Sequence, residues 1–363
     1  FMTIFGIGGC MALMLVGYGI RDSVFEIADI QYTEIQTYDG NLILKENLSE
    51  DEHQELTDSL EQNQDIARFM DAYMKNLVLT KDGHERETYV MVLGQPKDSE
   101  KYVHFHDRKT KEAYELSDDG AIISEKTAKL LNAKVGDTIS IKDENEGNKD
   151  IVIQNICENY MGHYLYMTPK YYEKVYGEKP EYNTVLFSVQ DSYTREQMEE
   201  AGEKILARDE VLSLSYMKDI EKRLNDMLKS LNLVIIVLIV SAGMLAFVVL
   251  YNLNTINIAE RKRELATLRV LGFYNPEVAA YVYRENILLT LIGTIVGAGL
   301  GKILHLFIIE TVEVPAAMFG RIINLPSYIY SFLFTILFSM IVNGVMYFKL
   351  RKIDMVESLK SIE

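Results

Sequence analysis

Residues that could do chemistry are few in this chain. His104 and His106 alternate in YVHFHD, so a strand would put both imidazoles on one face. That is half a zinc set. No third ligand stands nearby in sequence, and no metal site is expected. Cys10 lies in an apolar run and Cys157 in a polar region. A helix in lipid and a domain in water do not readily bring them together, and their spacing is not that of a metal site. GAGLGK (297–302) resembles a phosphate loop, but Val296 stands where such a loop needs its first glycine. No G-x-S-x-G, H-E-x-x-H or C-x-x-C occurs, so we expect no catalytic residue, no cofactor and no enzyme activity on this chain. Tyrosines cluster at 160, 164, 166, 171, 172, 176 and 182. Tyrosine suits binding surfaces, yet packing in a small domain is the plainer expectation. What remains is a basic, helix-patterned stretch, NIAERKRELATLRVLGF (257–273), close behind the apolar LNLVIIVLIVSAGMLAFVVLY.

The elements that must position that stretch are membrane helices. Apolar runs cover Phe1 to Ile20 and, roughly, Ser230 to Tyr251, Asn286 to Ile309 and Ser327 to Phe348. A bilayer core of about 30 Å takes about 20 apolar helical residues, and all four runs qualify. Basic residues of short loops stay cytoplasmic. Arg261, Lys262, Arg263, Arg269 and Arg284 lie between the second and third runs, and Lys349, Arg351 and Lys352 follow the fourth. The 252–285 loop and the C-terminus are therefore expected inside the cell, and residues 22–229 outside. Charge follows the same partition. Asp22 to Met227 carries 44 acidic and 24 basic residues, a net of −20, and the remainder is +4. An acidic outer domain argues against nucleic acid as a partner, which needs a basic footprint, and none is expected.

The fold class expected is a multi-pass α-helical membrane protein of four transmembrane helices. A large α+β extracytoplasmic domain is inserted between helices 1 and 2. The expected segments are transmembrane helix 1 (1–21), the extracytoplasmic domain (22–215), a stalk with helix 2 (216–251) and a cytoplasmic coupling loop (252–285). Helix 3 (286–309), an outer loop (310–326), helix 4 (327–348) and a cytoplasmic tail (349–363) complete them. The start, FMTIFGIGGC, lacks a basic n-region and a cleavage site, which suggests a piece of a longer protein.

Inside the outer domain, Ser49 and Glu52 spell a capping box. ETYVMVLG (87–94) alternates like a strand. Ser124 should cap a short helix, and TISIK should pair with DIVIQNI as a hairpin. Thr168 and Pro169 open a helix that Gly177 closes. NTVLFSVQD, TREQMEEAGEKILA and VLSLSY read as strand, helix and strand. From there YMKDIEKRLNDMLKSLNLVII runs helix-like into the second apolar run, with Ile220, Leu224, Met227, Leu228 and Leu231 on one stripe.

In the basic stretch, Glu260 and Glu264 share one helical face, and Ile258, Leu265 and Leu268 share another. Gly272 can end the helix in a left-handed cap, and Asn275 with Pro276 can start the next one. Basic residues beside a membrane ordinarily mark topology and meet lipid headgroups. A topology marker needs no leucine face and no defined exit turn. In the third apolar run, Gly293, Gly297 and Gly301 recur every four residues, which lets a neighbouring helix approach closely.

ERKRELATLRVLGF resembles the signature between spans two and three of the FtsX-like/MacB-type permeases, the type VII group of ABC transporters. The matching residues are Glu260, Arg261, Arg263, Glu264, Leu265, Leu268, Arg269 and Gly272. ENILLTLIGTIVGAGLG, opening with Glu285, is similar to the family's next segment. LRKIDMVESLK is similar to its C-terminal signature, with Met355 where a proline is common. The resemblance covers nearly the whole chain.

It implies a cytoplasmic ABC ATPase as a separate subunit, gripped by Glu260, Arg261, Arg263, Glu264, Leu268, Arg269 and Gly272. It also implies a second permease half or a homodimer partner, in membrane lipid. The ragged start would suit the second half of a two-half permease. The function expected is coupling of ATP hydrolysis to movement of the outer domain, in handling a peptide, lipoprotein or lipid. The alternative is a non-transporting receptor or scaffold that regulates an extracellular partner such as a cell-wall hydrolase.

Overall fold

A computed structural model describes residues 2–46, 48–143, 147–190 and 193–351. In chain order, α1 (Met2–Asp29) is followed by a π-helical turn (Ile30–Ile35), β1 (Gly40–Leu44), α2 (Glu50–Gln62), β2 (Ile66–Lys81) and β3 (His84–Leu93). Then come β4 (Ala121–Ser124), α3 (Glu125–Leu130), β5 (Thr138–Asp143), β6 (Gly147–Cys157) and β7 (Tyr164–Met167). The outer set closes with α4 (Pro169–Tyr176), β8 (Thr184–Val189), α5 (Arg195–Leu206) and β9 (Val211–Tyr216). Four helices follow: α6 (Met217–Glu260), α7 (Lys262–Val270), α8 (Asn275–Val312) and α9 (Leu325–Arg351). The chain forms two units. A sheet unit holds Glu26–Met227 and Glu313–Met318, and a helical unit holds the remainder.

In the sheet unit, the described strands run in the order β3-β7-β4-β6-β5-β2-β8-β1-β9, and β2 also pairs with β3. The first six strands thus close on themselves, and β8, β1 and β9 extend from β2. The length of β2 makes this possible. Its residues Ala72–Lys81 pair with β3, while Ile66–Ala72 pair with β8. Each half has its own core. Leu79, Val90, Ile123, Ile141, Ile153 and Leu165 fill the closed part, and Leu42, Leu56, Phe187, Met198 and Ile205 lie under α2 and α5. The β2–β3 turn is Asp82-Gly83, both at positive φ (48° and 84°), which suits the right-handed twist of a two-residue hairpin.

Several local expectations hold. Ser49 and Glu52 form a complete capping box. Thr168 caps α4, and Gly177 ends it at φ 86°. The β5–β6 hairpin pairs Thr138 with Val152, and residues 144–146 of its turn lie outside the described residues. The strand–helix–strand reading of β8, α5 and β9 holds, but β1 lies between the two strands and is antiparallel to both. Of the clustered tyrosines, 160, 166, 171, 172 and 176 are buried, so packing explains most of them. Ser124 departs from expectation. It stands at the cap position of α3 without capping it, because its hydroxyl bonds Thr127 Oγ1 instead, at 2.6 Å. Met227 departs too: Leu224 and Leu228 are buried, but Met227 is exposed.

In the helical unit, α1, α6, α8 and α9 are long and apolar enough to cross a membrane. They expose large apolar side chains such as Leu233, Ile295 and Phe307 and keep polar ones inside. Asn286 Nδ2 donates to Asn254 Oδ1 at 2.9 Å, and Asn254 Nδ2 donates to Asn343 Oδ1 at 3.1 Å, which ties α6, α8 and α9 together. The sequence suggests that the first helix stops at Arg21. It continues to Asp29, because Asp22 and Ser23 find partners: Asn324 N–H donates to Asp22 Oδ2 and Gly320 N–H to the Ser23 carbonyl, both at 2.9 Å.

Candidate functional site

The site is built from the end of α6, all of α7 and the start of α8. Only Arg261 separates α6 from α7, and the helical ladder crosses it: Arg261 N–H donates to the Asn257 carbonyl (3.3 Å), and Leu265 N–H to that of Arg261 (3.0 Å). Ile258 and Leu265 are buried in an apolar cluster with Ile7, Leu250, Val278 and Val342, and Leu268 is partly buried against it. The apolar face is thus used by the protein itself. Leu268, expected to meet a partner, packs inward for that reason.

The exit turn follows from Gly272, whose φ of 100° is left-handed. Phe273 N–H reaches back to the Leu268 carbonyl at 3.2 Å, closing a Schellman turn. The restart differs by one residue from expectation. Asn275 is already helical, so Tyr274 takes the cap position and donates its N–H to Glu277 Oε2 at 2.7 Å.

Two of the charged groups are tied by hydrogen bonds to the start of α8. Arg261 makes a two-pronged pair with Glu285, its Nη2 donating to Oε1 at 2.8 Å, and this bond raises the guanidinium pKa further above its ordinary value. Tyr281 Oη donates to Glu264 Oε1 at 3.1 Å. Glu260, Arg263 and Glu264 are exposed, and the side chain of Arg269 lies outside the described residues. The end of α7 and the turn after it project Val270 (62% exposed), Leu271 (70%), Phe273 (49%) and Tyr274 (75%). Reading the helical period alone missed this apolar tip, because it belongs to the last residue of α7 and the turn after it and not to the helix face. The run VLGFY was its only signal.

Further along α8, Gly293, Gly297 and Gly301 all face α1. A Cβ at Gly297 would lie 2.5 Å from the Gly8 carbonyl oxygen, one at Gly293 would lie 2.9 Å from Ile7 Cβ, and one at Gly301 3.0 Å from Leu15 Cδ2.

Comparisons with known proteins agree with this layout. The FtsX-like permease C-terminal family model matches residues 236–355, and the MacB-like periplasmic core domain model matches residues 2–205. An uncharacterized ABC transporter permease of Methanocaldococcus jannaschii is 26% identical over 190 residues, 52% of this chain and 46% of that protein. The match thus spans less than half of that relative's length. Among solved structures, the periplasmic region of MacB from Actinobacillus actinomycetemcomitans is similar, with TM-score 0.34 and 9% identity, over 52% of this chain and 93% of that one. So is the extracellular domain of the noncanonic ABC-type transporter YknZ from Gram-positive bacteria, with TM-score 0.31 and 11% identity, over 48% of this chain and 100% of that one. With a periplasmic-core match over more than half its residues and an FtsX-like match over the helices that follow, the chain belongs to the FtsX/MacB-type permeases.

Proposed function

We propose that this chain is the permease subunit of an ABC-type exporter or mechanotransmission complex. ATP is hydrolysed on a separate cytoplasmic subunit, which docks on the α7 turn. The docking surface is the apolar tip Val270, Leu271, Phe273 and Tyr274, together with the charged residues Glu260, Arg263, Glu264 and Arg269 of the same stretch. Arg261, Leu268 and Gly272 orient the tip rather than touch the partner. The observation that carries the reading is the division of apolar residues. The protein's own core takes Ile258, Leu265 and Leu268 and leaves four large apolar side chains exposed on a well-defined turn. Exposed apolar groups concentrated on one rigid feature mark an interaction site.

In this reading four helices cross the membrane, α7 and the C-terminus face the cytoplasm, and the sheet unit works outside on a peptide, lipoprotein or lipid. A second permease half or a second copy completes the assembly. The test is co-expression with the neighbouring ATPase. Leu271→Glu with Tyr274→Ala is expected to lower co-purification and permease-stimulated ATP turnover at least about tenfold, the size of losing two central contacts. Unchanged turnover in a variant that melts like the wild type overturns the docking surface.

A further inference from the structure

The connection between α8 and α9 is not a free loop. Its residues Glu313–Met318 belong to the sheet unit, where three sets of contacts hold them. Lys126 of α3 donates to Glu313 Oε2 at 2.7 Å, and both side chains are nearly inaccessible, at 7% and 2%. Gly162 N–H donates to the Ala316 carbonyl (3.2 Å) and Met318 N–H to the Tyr160 carbonyl (2.8 Å), so Met161 and Ala317 stand opposite each other as an antiparallel bridge. Met318 itself is buried. The same short loop, residues 158–163, also receives the chain that leaves α1. Gln31, fully buried, donates from Nε2 to Asn159 Oδ1 (2.9 Å) and accepts the Tyr160 N–H at Oε1 (2.8 Å).

We propose that Glu313–Met318 is a permanent strap. It holds the 158–163 loop so that the α8–α9 connection and the continuation of α1 act on one point of the outer domain, in addition to the α6 stalk. The inference rests on the proposed function only in taking helix movement as the signal to be carried. Buried polar chemistry argues for a link that stays closed through the cycle. Release would strand the Lys126 ammonium, the Gly162 N–H and the Tyr160 carbonyl at once, and each unpaired buried group is costly. A hinge would use exposed, replaceable contacts instead.

The test uses the full chain with its ATPase in lipid nanodiscs and reads amide hydrogen exchange with and without trapped nucleotide. The wild type is expected to show a nucleotide-dependent change at residues 158–163. Lys126→Met is expected to raise exchange at Gly162 and Met318 by about tenfold or more and to abolish the nucleotide response there, with ATP turnover maintained. The exchanged pair, Lys126→Glu with Glu313→Lys, is expected to restore the response. An unchanged response in Lys126→Met overturns the strap while leaving the proposed function standing. A wild type without any nucleotide response in the sheet unit overturns both.

A second variant covers the case in which Lys126→Met does not fold. Residues opposite each other in a non-hydrogen-bonded pair have Cα atoms about 4.5 Å apart, within disulfide range. Met161→Cys with Ala317→Cys, in a background of Cys10→Ala and Cys157→Ala, is expected to crosslink and to keep both the nucleotide response and ATP turnover. Loss of either on crosslinking, regained on reduction, shows that the strap must open and overturns the proposal.

Discussion

Arg261 and Arg263 are two residues apart and differ in their surroundings. Arg261 pairs with Glu285, across the α7–α8 hairpin, and Arg263 is exposed. Arg263→Glu is expected to weaken ATPase stimulation with the melting temperature unchanged. Arg261→Ala is expected to cost at most about 1 kcal/mol, since the pair is partly solvated, but to loosen the angle of α7. Thermal unfolding beside an ATPase assay separates the two. Two groups of the outer domain titrate, His163 half-buried and Glu158 buried. Burial lowers the pKa of His163 below the ordinary 6.5, with Thr127 Oγ1 at 2.9 Å from its Nδ1. The unfolded chain therefore takes up this proton first. The stability that His163 contributes is complete above about pH 6.5 and is lost as pH falls through the folded value. Glu158 has the same sign lower down. Burial raises its pKa, but His106, Lys111 and Tyr160 donating to it outweigh burial, and the net direction is below 4.5. His53, held up by Asp71, acts in the opposite sense. His163→Gln should therefore flatten the acid limb below about pH 6.5, read by thermal unfolding against pH.

At the scale of elements, caps and turns are local and were legible. Ser49 with Glu52, Thr168 with Gly177, and Gly272 each satisfy hydrogen-bonding needs created within a few residues of themselves. Ser49→Ala is expected to cost about 1 kcal/mol in unfolding experiments. The small-residue spacing of α8 was legible as a close-packing face. Its partner was not, because no periodicity within α8 names the helix that meets it. The structure supplies Gly8, Ile7 and Leu15 of α1. Gly297→Leu should destabilise the helical unit by about 1–3 kcal/mol, since the obstacle is the Gly8 backbone and cannot rotate away. Gly299→Leu is the control, because a Cβ there meets nothing within 4 Å. Ser124 shows the limit of cap reading. A cap-type residue at the right position turned instead to the hydroxyl of Thr127.

At the scale of the molecule, the outer domain is discontinuous, which no single stretch announces. Its sheet is closed by β3–β7 and β3–β2 pairings, and six of its residues come from beyond α8. The orientation proposed from the basic loops has a direct test. A cysteine at Leu271 should react with a membrane-impermeant maleimide only after permeabilisation, and one at Lys170 should react in intact cells. The reverse labelling would overturn the topology.

The sequence by itself determined four helices able to cross a membrane, an α+β domain between the first two, a basic helix with a glycine stop, and the family. Each depends on composition, short-range periodicity or local hydrogen bonding, and a linear pattern carries all of these. Tertiary structure alone decided that Leu268 faces inward and Val270 to Tyr274 outward, that Arg261 belongs to Glu285, that α8 meets α1 through Gly297, and that the α8–α9 connection is built into the outer domain. These depend on which groups distant in sequence meet, and a burial or a pairing between residues tens to hundreds of positions apart has no signature in either partner's neighbourhood.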